Sequence, residues 1–265
     1  MNIIDLKQLR SIQIEILDSV HAYCLQNGIK YSLGGGTLLG AVRHQGYIPW
    51  DDDIDIMMPR ADYERFAKEY QSPDNYVLDL RKADNCVEIC LKVCRKSTLM
   101  RDTVLGRALW GVNIDVFPID GYPDNNSSHC DKILSLRKQA ERICPTFKSV
   151  KKSLRIKWFI KYCIKRVLFF YPHSFQHLKQ EIDLLGSKYS IEKESLGGSI
   201  LGGYGFREVM STEVFHSFSD ISFEGKMYRT ITDYDTYLRC LYGEYMTLPP
   251  VEKRISHHLY DSYQL

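Results

Sequence analysis

The chain lacks a strong charge of either sign. Its 265 residues carry 35 Lys and Arg against 33 Asp and Glu, a formal net charge of +2. That balance argues against a protein whose main role is to coat nucleic acid, and no nucleic-acid partner is expected. No internal repeat or low-complexity tract is present. No secretory leader is expected either, because residues 1–27 read as an amphipathic helix interrupted by Asp5, Lys7, Arg10, Glu15 and Asp18. Disorder is excluded by composition, at 44% hydrophobic and 26% charged residues. The chain is long enough to bury a sizeable core. Eight cysteines without a leader point to free, mostly buried thiols in a reducing cytoplasm. Cys86, Cys90 and Cys94 share a face on either a helix or a strand. VEICLKVC alternates like a strand, so these three read as packing residues rather than metal ligands.

Acidic residues are absent from Arg142 to Gln180, a stretch with ten Lys or Arg. Drawn as a helix, Ile156, Ile160, Cys163, Val167 and Phe170 fall on one side, with Lys157, Lys161, Lys165 and Arg166 largely off it. The lysines interrupt the apolar run too often for a spanning helix. Two readings stay open: a helix near 148–170 lying on an anionic membrane surface, or one packed on the domain with a solvated basic face.

The spacing predicts a first helix ending at Asn27-Gly28, a strand over Ile29–Leu33 and a short helix over Thr37–Arg43. A strand over Ile54–Met58, closed by Pro59, and a helix over Asp62–Tyr70 follow. Further strands are predicted at 76–80, at 86–95 and around Asn113–Phe117. From about residue 126 long helices take over, followed by a glycine-rich break. A strand pair at 221–231, a helix at 233–242 and a Pro-Pro tail finish the chain. The predicted fold is α/β, a small mixed sheet in the first half with helices added in the second. A core over 1–125 and an extension over 126–265, packed as one unit, are expected.

Residues 33–60, LGGGTLLGAVRHQGYIPWDDDIDIMMPR, concentrate the chemistry. Gly34, Gly35, Gly36 and Thr37 can let a backbone and a hydroxyl approach a phosphate closely. Asp51, Asp53 and Asp55 would point one way along an extended strand, and Asp52 the other. Alternate carboxylates can converge on divalent metal, and oxygen-only ligation suits Mg²⁺ or Mn²⁺. A calcium loop would carry Gly and Asn between its acids and a later bidentate Glu, which is missing. A solvated acidic loop fits poorly, because Ile48 and Trp50 before the run and Ile54 to Met58 after it border a core. Asp115, in the apolar stretch NIDVFPID, is the expected third carboxylate, as base or as metal ligand. Its structural alternative is a pair with an Arg. Asp120 reads as a cap before Gly121. Arg43 and His44 either meet substrate phosphate or cap their helix. In the tail, Lys253 and Arg254 would suit a pyrophosphate donor. Adjacent His257 and His258 point different ways and make a shared metal improbable. Trp50 and Trp110 are core tryptophans or a wall for a quaternary ammonium.

GGTLLGAVRHQGYIPWDDDIDI followed by RADYERF closely resembles the signature of the LicD family, within the nucleotidyltransferase superfamily and related to the fukutin-type transferases. The resemblance continues through NIDVFPID and FEGKMYRTITDYDTYLRCLYGEYMTLPPVEKRISHH, and leaves 142–200 unmatched. It implies a nucleotidyltransferase-like core. It also implies transfer of a phospho-alcohol, most often phosphocholine, from a CDP donor such as CDP-choline to a glycan hydroxyl, with CMP leaving. CDP-ribitol is the donor in related eukaryotic enzymes. The acceptor would be a surface glycan (lipopolysaccharide, capsule or teichoic acid) or its lipid-linked precursor. By position the resemblance makes Asp53 and Asp55 metal-binding, Asp51 adjacent, Asp115 the third carboxylate and Gly36-Thr37 the glycine-hydroxyl pair. The enzyme would work in the cytoplasm or at the inner membrane face. The competing readings are nucleotidyl transfer releasing pyrophosphate, and a non-catalytic nucleotide-binding protein of glycan assembly.

Overall fold

A computed structural model describes residues 2–83, 86–103, 108–123, 127–143, 175–202, 204–255 and 260–265. The first helix, α1 (Leu6–Asn27), starts at a reciprocal cap between Asp5 and Gln8 and stops at Gly28, whose φ of 64° a side chain would resist. Its buried stripe is Leu9, Gln13, Ile16, Leu17, Val20 and Cys24. Gln13 is the polar exception. Its side-chain amide donates to the carbonyls of Asp52 (3.0 Å) and Asn113 (3.2 Å), so α1 braces the segment that carries the acids.

The central sheet runs β2 (Ser32–Leu33), β3 (Asp55–Pro59), β7 (Asn113–Tyr122), β5 (Leu91–Arg95), β4 (Asn75–Asp79). β3 and β7 are parallel and the other neighbours in this row antiparallel. β8 (Leu196–Gly198) and β9 (Met210–Ser211) extend β7 at its far end. A second sheet orders β1 (Asn2–Ile3), β12 (Tyr260–Gln264) and β6 (Thr98–Asp102). β10 (Phe218–Phe223) and β11 (Lys226–Ile231) form a hairpin. Helices α2 (Gly35–His44), α3 (Arg60–Glu69) and α6 (Tyr234–Tyr242) join α1 around one core containing Ile54, Ile56, Val93, Val116 and Leu238. Helices α4 (Ser127–Ile143) and α5 (Phe175–Gly186) share a smaller core with Tyr122, Cys130, Ile133 and Ile182. This is the mixed α/β architecture expected. Among the described residues, no helix is long and apolar enough to cross a membrane. The basic stretch at 148–170 lies outside the described residues.

Three expectations need correction. The strand expected over 86–95 forms only from Leu91. Lys179 Nζ, fully buried, takes the carbonyls of Leu80, Ala83 and Cys86, so the chain before β5 satisfies its polar groups outside the ladder. The packing reading of Cys86, Cys90 and Cys94 holds, since all three are buried free thiols. Asp120 is no cap. It sits inside β7, buried, and accepts two bonds of 2.7 Å from the Arg60 guanidinium. Arg60 also reaches Asp183, tying α3 and β7 to α5. Finally, β6 and β12 were not anticipated, and they build one wall of the cleft described next.

Candidate active site

Register brings the key side chains together. Asp55 opens β3 directly beside Asp115 of the parallel β7, and Lys92 of β5 lies opposite Asp115 on the other side. Cross-strand partners share a face, so Asp55, Asp115 and Lys92 form a row across three adjacent strands. Lys92 Nζ contacts both carboxylate oxygens of Asp115, at 2.6 and 2.7 Å. Asn113 Nδ2 donates to Asp115 Oδ1 at 2.8 Å. The side chains of Lys92 and Asp115 are only 7% and 19% exposed, so water screens this pair weakly.

The remaining acids arrive on an irregular loop. Strand β3 begins only at Asp55, so strict alternation does not hold, and Asp52 lines the cleft together with Asp51, Asp53 and Asp55. Arg10 of α1 fixes this loop by donating to the carbonyls of Ile48, Pro49 and Asp51. Thr37 fixes its other end. The Thr37 hydroxyl accepts from the Asp55 backbone N–H at 2.8 Å, and the side chain is buried. That hydroxyl therefore positions Asp55 through its acceptor lone pair. The glycine run has a related role. The Gly34 N–H donates to the Asp55 carbonyl and the Gly35 N–H to the Tyr237 hydroxyl. A Cβ on Gly36 would stand 2.9 Å from Asp51 Oδ2, and one on Gly35 3.2 Å from Asp55 Oδ2. The glycines thus admit two carboxylates to the positive end of α2.

The cleft is about 380 Å³ and is lined by six carboxylates (Asp51, Asp52, Asp53, Asp55, Glu88 and Asp115) against one lysine. Their mutual influence follows. Burial, then Asp55, Asp51 and Asp115, push the Asp53 carboxyl well above the usual range. Burial, then Asp115 and Asp51, raise Asp55 likewise, with Lys92 opposing. Burial raises Asp51 as well. The Asp51 and Asp53 carboxyls are close enough to act on each other, and Asp51 adds to the rise at Asp53. Burial works against the Lys92 charge, but Asp115 and Glu88 outweigh it and raise its pKa. Behind Asp55 a second cavity of about 50 Å³ is lined by Ser199, Glu208 and Tyr237. Burial pushes the Glu208 carboxyl up to about 7, although the Tyr204 N–H and Arg137 pull it down.

The donor set suits a hard divalent cation: oxygen ligands only, with negative charge in excess. Among the described residues, no three acidic, His or Cys side chains already surround one point. The fit is thus one of charge and ligand chemistry, centred on Asp51, Asp53 and Asp55, while Asp115 is engaged by Lys92.

The other expected contacts gather elsewhere. Arg43 Nη1 donates to the Tyr245 carbonyl at 2.6 Å and Nε to His44 Nε2 at 3.0 Å. Burial lowers the pKa of both Arg43 and His44. Arg254 lies 5.6 Å from the Trp50 ring centre and donates to the Pro249 carbonyl. Arg254 and His44 flank Trp50, with Arg43 bonded to His44, next to the acidic loop but outside the cleft lining, and exposed Lys253 is outside it too. Trp50 and Trp110 therefore share no wall; Trp110 alone lines the cleft. His257 and His258 lie outside the described residues. Sequence reasoning missed Lys92, Glu88, Asn113 and Tyr260. A lysine inside the apolar run ICLKVC was the one local sign of Lys92.

The mixed sheet and its acid-lined cleft define an α/β domain of the nucleotidyltransferase type, and residues 28–145 match the family described as "LicD/FKTN/FKRP, nucleotidyltransferase domain". The lipopolysaccharide cholinephosphotransferase LicD of Haemophilus influenzae is 33% identical over 273 residues, covering 100% of both chains. The chain belongs to the LicD family. Shorter matches occur in Rickettsia. An uncharacterized protein of R. prowazekii is 37% identical over 83 residues, 30% of each chain. One of R. typhi is 48% identical over 54 residues, 20% of this chain and 18% of its own.

Proposed function

We propose that the protein transfers phosphocholine from a CDP-activated donor to a hydroxyl of a cell-surface glycan, or of its lipid-linked precursor, and releases CMP. The row Asp55–Asp115–Lys92, with Asp51 and Asp53 beside it, carries this reading. Full-length similarity to a cholinephosphotransferase that acts on lipopolysaccharide supports both the transferred group and the glycan acceptor. In the reaction the acceptor oxygen bonds to the donor's β-phosphorus, and the bond from that phosphorus to the bridging oxygen of CMP breaks. A divalent cation (Mg²⁺ or Mn²⁺) held by Asp51, Asp53 and Asp55 would neutralise the phosphates and the departing oxygen.

The chain's own groups do the positioning. Lys92 faces the cleft with its ammonium on Asp115. When the donor arrives, Lys92 turns toward the transferring phosphate and frees Asp115 Oδ2. That oxygen then takes the acceptor proton. Asn113, still bonded to Oδ1, keeps the carboxylate oriented. Arg10 and Thr37 hold the acidic loop rigid against α1 and α2, so the carboxylates need little rearrangement. The test is incorporation of radiolabelled phosphocholine from CDP-choline into choline-free lipopolysaccharide, with Mg²⁺ and with chelator. Metal-dependent incorporation that vanishes in Asp55→Asn supports the reading. Incorporation unaffected by chelator, or intact in Asp55→Asn, overturns it.

A further inference from the structure

The cleft has two chemically different ends. One holds Gly36 and the aspartates of the acidic loop. The other is walled by Met100, Trp110 and Tyr260, with Glu88 as its carboxylate. Lys92 and Asp115 stand between them. The second wall is built by the sheet that sequence reasoning did not anticipate. β12 pairs with β6 so that Tyr260 lies opposite Asp102. Backbone bonds tie that wall together, the Met100 N–H donating to the Trp110 carbonyl at 2.6 Å and the Leu109 N–H to the Met100 carbonyl at 2.9 Å. Trp110 is only 8% exposed, so its ring is held in place before any ligand arrives. Lys92 Nζ lies over the Trp110 ring, 5.2 Å from its centre, so this ring face already holds a cation and is uncovered when Lys92 turns to the phosphate.

We infer that Glu88, Trp110 and Tyr260 form the subsite that recognises the cationic head of the donor's alcohol, and so set donor specificity. The inference rests on the proposed transferase reading. A quaternary ammonium carries its charge beneath methyl groups and offers no hydrogen-bond donor. It is recognised by aromatic faces and a nearby carboxylate, without directional bonds. Trp110, Tyr260 and Met100 supply that surface, and Glu88 supplies the countercharge. The ammonium of phosphocholine lies two carbons beyond its ester oxygen, a short reach from a phosphate held at Lys92. Lys92 does not make this end of the cleft cationic, because Asp115 neutralises it and Glu88 adds negative charge. A neutral polyol would leave Glu88 unused and place hydroxyls against apolar faces.

The experiment is calorimetric titration of CDP-choline, CDP-glycerol and CMP, with Mg²⁺, into the wild-type protein and its variants. Wild type should prefer CDP-choline over CDP-glycerol by roughly tenfold. Glu88→Gln and Trp110→Leu should each reduce that preference severalfold and leave CMP binding unchanged. Glu88 is exposed, so Glu88→Gln should fold normally. If Trp110→Leu loses CMP binding through misfolding, Trp110→Phe, which keeps a smaller π face, serves beside Glu88→Gln and should retain an intermediate preference. An unchanged preference in Glu88→Gln and in the Trp110 variant that binds CMP overturns the subsite. Wild type that binds CMP without preferring CDP-choline overturns the subsite alone. Wild type that binds no cytidine nucleotide removes the transferase reading as well.

Discussion

Lys92→Met isolates what the central ion pair does. The change removes an ammonium that makes two short bonds to Asp115 and leaves that carboxylate beside Asp55, with little exposure to water. Removing one partner of a buried pair costs roughly 3–5 kcal/mol, because the other charge is left uncompensated. Protonation limits the loss. Forcing a proton onto a carboxyl with an unfolded pKa of about 3.9 costs ~1.4 kcal/mol for each pH unit above that value. The ceiling is thus about 1.5 kcal/mol at pH 5 and about 5.5 kcal/mol at pH 8. Urea unfolding followed by tryptophan fluorescence, in chelator, should show Lys92→Met losing ~1–2 kcal/mol at pH 5 and ~3–5 kcal/mol at pH 8. Combining Lys92→Met with Asp115→Asn should recover most of the loss at pH 8, since the orphaned charge is gone. A loss below about 1 kcal/mol at pH 8, or one equal at both pH values, would refute the reasoning.

Other variants separate catalysis from stability. Asp53→Asn and Asp55→Asn should each lower transfer by at least ~100-fold in a radiolabel assay, yet unfold at equal or higher urea than wild type at pH 8 in chelator. The sign follows from their raised folded pKa values: the folded state holds protons more tightly than the unfolded chain, so this contribution is full at low pH and lost as pH rises through the raised values. For the same reason, wild-type melting temperature in chelator should fall between pH 5 and pH 8, and saturating Mg²⁺ should flatten that slope. Glu208 titrates near 7 in the fold. Glu208→Gln should therefore gain up to ~3 kcal/mol at pH 8 and nothing near pH 4 by urea unfolding. Gly36→Ala suits a helix, but its Cβ would meet Asp51 Oδ2. Circular dichroism should stay normal while transfer drops at least ~10-fold.

Local signals were legible where local physics decides. Helix α1 ends at its glycine because Gly28 alone carries the left-handed turn. Asp115 stood out as a carboxylate in an apolar strand, and it does sit beside Asp55. What could not be read depends on distant pairing. Lys92 meets Asp115 only through the register of β5 against β7, and Tyr260 reaches the cleft only because β12 returns to β6. The hydroxyl of Thr37 after the glycines suits a phosphate contact, and a structural role was not legible beside it. Only the fold shows the Asp55 N–H already bound to it. Asp120 was misread because its partner, Arg60, is sixty residues away in sequence. Arg254 packs on Trp50, and neither it nor Arg43 lines the cleft.

The most direct test of the account is phosphorus NMR of CDP-choline incubated with the protein, Mg²⁺ and choline-free lipopolysaccharide. A CMP monoester signal and a matching new phosphodiester on the glycan should grow together, both absent with Asp53→Asn. Pyrophosphate as product, or wild-type protein that leaves the donor intact with metal and acceptor present, would contradict it.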